Sequence, residues 1–201
     1  MKCGVELHQR LGTKRKLFCN CSPEFRPDAK PSDEIKRKQR VVAGEMGEKD
    51  RAALFEFLRD REFVYQVFPE STCLVELDEE PPHPMDEEAL DIALEISLLL
   101  NAKPVDEINV MRKTVTDGSN TSGFQRTCIV AIDGYLETSL GRVGIPNICL
   151  EEESAGIVEK KGKEVVYRLD RLSIPLVEVG TAPDIKSPEH AREVAQKLGM
   201  V

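Results

Sequence analysis

The sequence contains no tryptophan, and its aromatic content is only 5%. A platform of rings for stacking bases is therefore not expected. Positive charge is also short: 28 Lys and Arg stand against 36 Asp and Glu, a net charge of −8. A polyanion would have to be met by local basic patches rather than by the overall field. Two such runs exist, Lys14-Arg15-Lys16 and Lys36-Arg37-Lys38 with Arg40, and both read equally well as solvated surface. No apolar run approaches ~18 residues, and the N-terminus lacks the apolar stretch of a signal peptide. A cytoplasmic protein with no membrane segment is expected, its six cysteines (3, 19, 21, 73, 128 and 149) reduced.

Common catalytic signatures are missing too. GIVEKKGK at 156–163 has one residue too many between its glycines for a P-loop, and Glu164 stands where Ser or Thr belongs. There is no G-x-S-x-G, H-E-x-x-H or dinucleotide fingerprint. Cys19-x-Cys21 has no second close pair, and Cys73 stands isolated, so a four-ligand zinc site is not indicated. Cys3, Cys128 and Cys149 read as buried free thiols.

What is present suits one domain, or one and a half, with 40% apolar residues for a core. Polarity alternates over 2–11, which predicts a first strand. Residues 20–47 are rich in charge, Pro and Gly and read as an excursion, partly helical over 32–41. Ala53, Leu54, Phe57 and Leu58 recur at helical spacing over 49–61, followed by strand-like runs at 62–68 and 73–77. The clearest helix spans 86–100, capped by Asp86, with Leu90, Ala93, Leu94, Ser97 and Leu98 on one face. Strands are expected at 105–112, 124–132, 135–138, 143–150, 164–171 and 174–179, with Asp133-Gly134 as a hairpin turn. A last helix over 188–198 starts at Ser187-Pro188 and stops at Gly199. Helices stand apart from a block of hairpins, so the fold class is α+β with a largely antiparallel sheet.

Three groups of residues can carry chemistry. In RKTVTDGSNTSGFQRT (112–127), Arg112, Lys113, Gln125 and Arg126 flank a turn of Asp117, Gly118, Ser119, Asn120, Thr121, Ser122 and Gly123. Such a turn can wrap an oxygen-rich anion, or it can be a plain polar hairpin connection. Glu6 and His8 are two apart in a strand and share a face at about 7 Å, suited to one divalent ion or simply to solvent. Glu151-Glu152-Glu153 is an acidic cluster that a cation would relieve; alternation puts Glu151 and Glu153 on one face and Glu152 on the other. It also reads as an acidic surface turn. Glu178 interrupts the apolar run 174–179 and needs a partner or a metal if buried, and Asp170 and Arg171 can pair with each other.

With these residues in view, the chain resembles the family formed by the E and B subunits of glutamyl-tRNA(Gln) amidotransferases, the archaeal E type more closely than the bacterial B type. The matching runs are GVELHQRLGTKRKLFCNC (4–21), RKTVTDGSNTSGFQRT (112–127), GIPNICLEEESA (144–155) and YRLDRLSIPLVEVGTAPDIKSPEHAREVA (167–195), in the same order and spacing. The resemblance implies an ATP- and magnesium-dependent ligase. It would phosphorylate the Glu side chain of misacylated Glu-tRNA(Gln), and ammonia from a D-type amidase partner would then give Gln-tRNA(Gln). It implies a hetero-oligomer and an N-terminal piece of a longer catalytic cradle.

Position by position, the resemblance makes Glu6, His8, Glu152 and Glu178 metal residues. It makes Arg112, Lys113, Gln125 and Arg126 catalytic, and Ser119, Asn120, Thr121, Ser122, Gly123, Asp170 and Arg171 nucleotide-contacting. Bacterial members hold zinc with two close cysteine pairs; only Cys19 and Cys21 match here, which speaks against zinc. The rival reading is a non-catalytic scaffold or RNA-binding module acting through the two basic runs.

Overall fold

A computed structural model describes residues 2–38 and 47–201. Two sheets form its frame. The larger is built from β1 (Glu6–Arg10), β4 (Lys103–Pro104), β5 (Met111–Thr114), β6 (Phe124–Thr138), β7 (Gly141–Glu152) and β10 (Pro175–Gly180). Its order is β1-β10-β7-β6-β4, with β5 also paired to β6, and every pairing is antiparallel. The smaller holds β2 (Asp33–Lys38), β3 (Glu62–Val67), β8 (Gly156–Lys161) and β9 (Glu164–Arg168) in the order β2-β3-β9-β8. Its central pair, β3 with β9, is parallel. The fold is α+β with largely antiparallel sheets.

Helices α1 (Arg51–Leu58), α2 (Glu87–Leu99) and α3 (Pro188–Leu198) complete the fold. The caps of α2 and α3 are those the sequence dictates: Asp86 accepts from the Ala89 N–H, and Ser187 from the His190 N–H. The main core joins both helices to the large sheet through Ala89, Ala93, Ile145, Leu150, Val179 and Val194. The buried face of α2 is Ala89, Ala93 and Ser97, whereas Leu98 is exposed; small residues let the helix sit close to the sheet. A second cluster of Phe63, Tyr65, Val165, Tyr167 and Leu169 lies on the small sheet.

Several expectations yield to tertiary context. The helix expected over 32–41 is strand β2 over 33–38, because backbone pairing with β3 outweighs weak helical patterning; residues 39–41, Arg40 among them, lie outside the described residues. The strand expected at 73–77 is a run of turns, because the Glu76 carboxylate accepts the Cys73 N–H at 2.8 Å and diverts that backbone from a ladder. Asp133-Gly134 does not turn the chain. It lies inside β6, with Asp133 at φ +56° facing Pro146, which has no N–H to offer. Gly134 serves a close approach instead: a Cβ there would stand 2.9 Å from the Ala102 Cβ and 3.0 Å from the Leu100 oxygen. The hairpin closes later, between Thr138 and Gly141. Of the strand expected at 105–112 only the end is regular, as part of β5, and β8 has no counterpart among the expected strands.

Candidate functional site

One face of the large sheet carries a continuous polar strip, set by strand register. His8 lies directly opposite Glu178 in the β1–β10 ladder, and Glu6 shares its face opposite Gly180, which offers no side chain to crowd it. His8 Nε2 stands 2.9 Å from Glu6 Oε1 and 3.1 Å from Glu178 Oε2. One ring nitrogen with at most one proton cannot serve two carboxylates well, whereas a single cation among the three can. Ligand atoms of Glu6, His8 and Glu178 all lie within 4.8 Å of one another. The chemistry of this donor set, two carboxylates and an imidazole on a partly open face, fits a divalent ion.

The strip continues through Lys113, whose Nζ is 3.6 Å from Glu178 Oε2 and 3.2 Å from Glu151 Oε2. Burial works to lower the Lys113 pKa, and Glu151 and then Glu178 outweigh it, holding the ammonium above its ordinary value. Gln125, opposite Lys113 in the β5–β6 register, donates to Glu151 Oε1 at 2.9 Å and to the Glu152 carbonyl at 2.7 Å. Burial raises the Glu151 pKa, partly countered by Lys113.

Glu152 does not join the cluster. Alternation along β7 turns it to the opposite face, where it is 1% exposed and committed to other partners. The Arg126 backbone N–H and guanidinium each donate to it at 3.0 Å, and the Ser173 hydroxyl at 2.8 Å. The carboxylate on the strip is its neighbour Glu151. Nor is 151–153 an acidic surface turn: Glu151 and Glu152 are buried at the end of β7. Arg126 is correspondingly a brace for Glu152, and its guanidinium also lies over the Phe124 ring. Arg112, directly opposite Arg126 in the β5–β6 register, shares that face, its guanidinium 5.0 Å from the same ring.

The expected Asp170–Arg171 pair does not form. Asp170 is held by Arg168 through contacts of 2.9 and 2.6 Å and lines a cavity of about 280 Å³ with Ser22, Arg26 and Phe68. Arg171 reaches Glu153 at 3.1 Å instead.

The 117–123 turn packs on the small sheet. Tyr65 and Tyr167 donate their hydroxyls to the Gly118 and Asp117 carbonyls, and Gly118, at φ +88°, abuts Phe63 so closely that a Cβ would stand 2.5 Å from the ring. Asp117 accepts from the Ser119 N–H and hydroxyl, and Thr121 donates to the Glu76 carbonyl at 2.6 Å. Asn120 is buried and accepts from Ser154 at 3.5 Å, while the Ser122 hydroxyl is spent on the Phe124 carbonyl. Asn120, Thr121, Ser122 and Gly123 line a cavity of about 370 Å³ whose far wall includes Arg37 and Lys38.

A second ligand cluster escapes a reading of the sequence. Cys73 is not isolated: Cys19, Cys21, Cys73 and Glu76 place one ligand atom each within 4.8 Å of the others. Cys19 Sγ is 2.8 Å from Glu76 Oε1, and beside it lies Lys16, fully buried, its Nζ 3.6 Å from the same oxygen. Lys16 also donates to the Ser71 and Leu169 carbonyls at 2.5 and 3.2 Å. Hydrogen bonding with Cys21, then burial, pushes the Cys19 thiol far up, and the same contact draws Cys21 down; burial takes Cys73 to about 12. The signal available in the sequence is the spacing Cys73-x-x-Glu76, which supplies the second close pair once a carboxylate is allowed as a ligand. All six cysteines are free thiols, and no helix among the described residues is long and apolar enough to cross a membrane.

Comparison with known proteins gives one consistent result. Residues 1–201 match the GatB/GatE catalytic domain. The chain is 58% identical to the E subunit of the glutamyl-tRNA(Gln) amidotransferase of Methanocaldococcus jannaschii, 55% to that of Methanosarcina acetivorans and 50% to that of Methanococcus maripaludis. Each match runs over all 201 residues of this chain and 32% of the relative, so the chain spans about a third of the length of these curated relatives.

Proposed function

The chain belongs to the GatB/GatE catalytic-domain family, and from that premise we propose that it forms part of the cradle in which a glutamyl-tRNA(Gln) amidotransferase activates its substrate. In the proposed reaction the γ-phosphoryl group of ATP passes to an oxygen of the tRNA-bound Glu side chain, releasing ADP. Ammonia from an amidase partner in the same hetero-oligomer then attacks the carboxyl carbon and phosphate leaves, giving Gln-tRNA(Gln). A carboxylate is a poor acyl donor toward ammonia, whereas an acyl phosphate is a good one.

The observation that carries this reading is the strip Glu6–His8–Glu178–Lys113–Glu151. Glu6, His8 and Glu178 would hold magnesium, which when bound screens the charge of the triphosphate. Lys113 brings positive charge to the same face, suited to the equatorial oxygens of a phosphoryl group in transit, whereas Arg112, its neighbour in β5, projects to the opposite face beside Arg126. Gln125 fixes the Glu151 carboxylate, and Arg126 braces Glu152 on the opposite face. An anionic ligand such as the nucleotide would enter the cavity beside Asn120–Gly123 by taking Arg37 and Lys38 from Glu79 and Asp60. Cys19, Cys21, Cys73 and Glu76 fit a structural ion such as zinc: three thiols and a carboxylate gather at one point, Cys19 and Glu76 buried and Cys21 and Cys73 partly so.

The basic runs behind the scaffold or RNA-binding reading are largely paired or buried where they are described. Lys36 is paired with Glu62 and Glu164, Arg37 with Glu79, Lys38 with Asp60, and Arg15 with Asp86, while Lys16 is buried.

Thermal unfolding with and without Mg-ATP tests the proposal. At about 100 times the dissociation constant a ligand specific to the folded state adds about 2.7 kcal/mol, so the melting temperature should rise by several degrees. His8→Ala should abolish the rise. No dependence on Mg-ATP in the unsubstituted chain would defeat the reading.

A further inference from the structure

Lys113 and His8 converge on one oxygen. Glu178 Oε2 lies 3.1 Å from His8 Nε2 and 3.6 Å from Lys113 Nζ. An ion bound jointly by His8 and Glu178 would use this atom, and the Lys113 ammonium already stands beside it. The ammonium is loosely held. Its contact with Glu178 is longer than a hydrogen bond, its side chain is 50% exposed, and it extends from the four-residue strand β5, which pairs only with β6. Its second anchor, Glu151, is fixed independently by Gln125 and does not depend on Lys113 for its place.

We propose that Lys113 is a tethered internal counter-ion of the Glu6–His8–Glu178 cluster, which an incoming divalent cation displaces. This rests on the reading of that cluster as a cation site. Two like charges within about 4 Å repel even in a high-dielectric surrounding, so ammonium and divalent ion do not share Glu178 Oε2 at no cost. Once displaced, the four-carbon arm carries its charge away from Glu178 while keeping Glu151 within reach. The ammonium is then available to an anionic ligand when the metal is in place and occupied when it is not. Metal and anion are thereby coupled through one side chain, with no backbone rearrangement required.

The test is direct Mn2+ binding, read by electron paramagnetic resonance, on the 201-residue chain and its variants. Lys113→Met, which keeps the apolar arm and removes the charge, should bind Mn2+ about tenfold tighter, and Lys113→Arg should stay within about twofold of the parent. Glu178→Gln should weaken binding in both the parent and the Lys113→Met background, which assigns the signal to this cluster. In a parallel Mg2+ titration, the side-chain 15N resonance of Lys113 should shift with saturation. Lys113→Met binding as the parent does, or more weakly, while Glu178→Gln still weakens it, overturns the displacement and leaves the cation site standing. No Mn2+ signal sensitive to Glu178→Gln in the parent overturns the cation site, and the displacement falls with it.

Discussion

Two ligand clusters sit in this chain, and they differ in almost every physical respect. Glu6, His8 and Glu178 are side chains on neighbouring strands of one sheet, partly exposed, with a half-exposed lysine as neighbour. Cys19, Cys21, Cys73 and Glu76 come from two loops, are buried (Cys19, Glu76) or half-buried (Cys21, Cys73), and have a fully buried lysine beside them. The first is preorganised by backbone ladders that persist whether or not an ion is present. The second gathers three thiols and a carboxylate that have little other reason to meet. Strand-borne open ligands suit an ion that comes and goes with substrate, and loop-borne enclosed ligands suit one that stays and holds the loops.

The sharpest way to break this contrast is to remove the buried lysine. Lys16→Met leaves Glu76 and two carbonyls without their cation in a dry environment. A loss of about 3–5 kcal/mol in urea unfolding is expected, the scale for breaking a buried pair; a loss below about 1 kcal/mol would show that water already reaches Lys16. Second in size is Cys73→Ala. If the cluster holds zinc as proposed, the zinc retained through purification, measured by elemental analysis, should fall from about one ion per chain to a trace, since one of the four ligand residues is lost. Retention of a full equivalent would remove Cys73 from the set.

His8→Ala should act the other way round. Its stability without ligand should stay within about 0.5 kcal/mol of the parent, as for other surface positions, while the response to Mg2+ disappears. The smallest effect concerns Glu151. Its carboxyl has a raised pKa in the fold, so the folded state holds its proton more tightly than the unfolded chain does. The stability this brings is present below the ordinary carboxylate value of about 4.3 and is lost as pH rises through the folded value. Glu151→Gln lacks that loss. Its stability relative to the parent should improve as pH rises from about 4 to about 7 in chelator-treated samples, measured by urea unfolding, and an unchanged difference would argue that Lys113 fully offsets burial.

The strand-borne cluster is largely legible in the sequence, and the loop-borne one is not. Period-two alternation places Glu6 with His8 in any strand, and capping residues at Asp86 and Ser187-Pro188 set the helices. Which of Glu151 and Glu152 faces the cluster depends on the register of β7 against β6 and β10, which no single strand encodes. The resemblance points to Glu152, and the fold turns Glu151 to that face. Cys73 and Glu76 lie far along the chain from Cys19, joined to it by turns whose pairing no local pattern announces. Asp133-Gly134 misleads for a related reason. The dipeptide is a good turn former in isolation, but the chain uses its small glycine to admit the end of α2.

One contact made by Thr121 has a mechanical consequence. Its hydroxyl grips the backbone oxygen of Glu76, so the rim of the cavity lined by Asn120–Gly123 and the sulfur knot are tied by a strut of 2.6 Å. Loosening the knot should slacken the rim before any strand unpairs. Oxidants and chelators that never touch the cavity should therefore blunt it first, with amide exchange quickening at 118–123 while the large sheet stays shut.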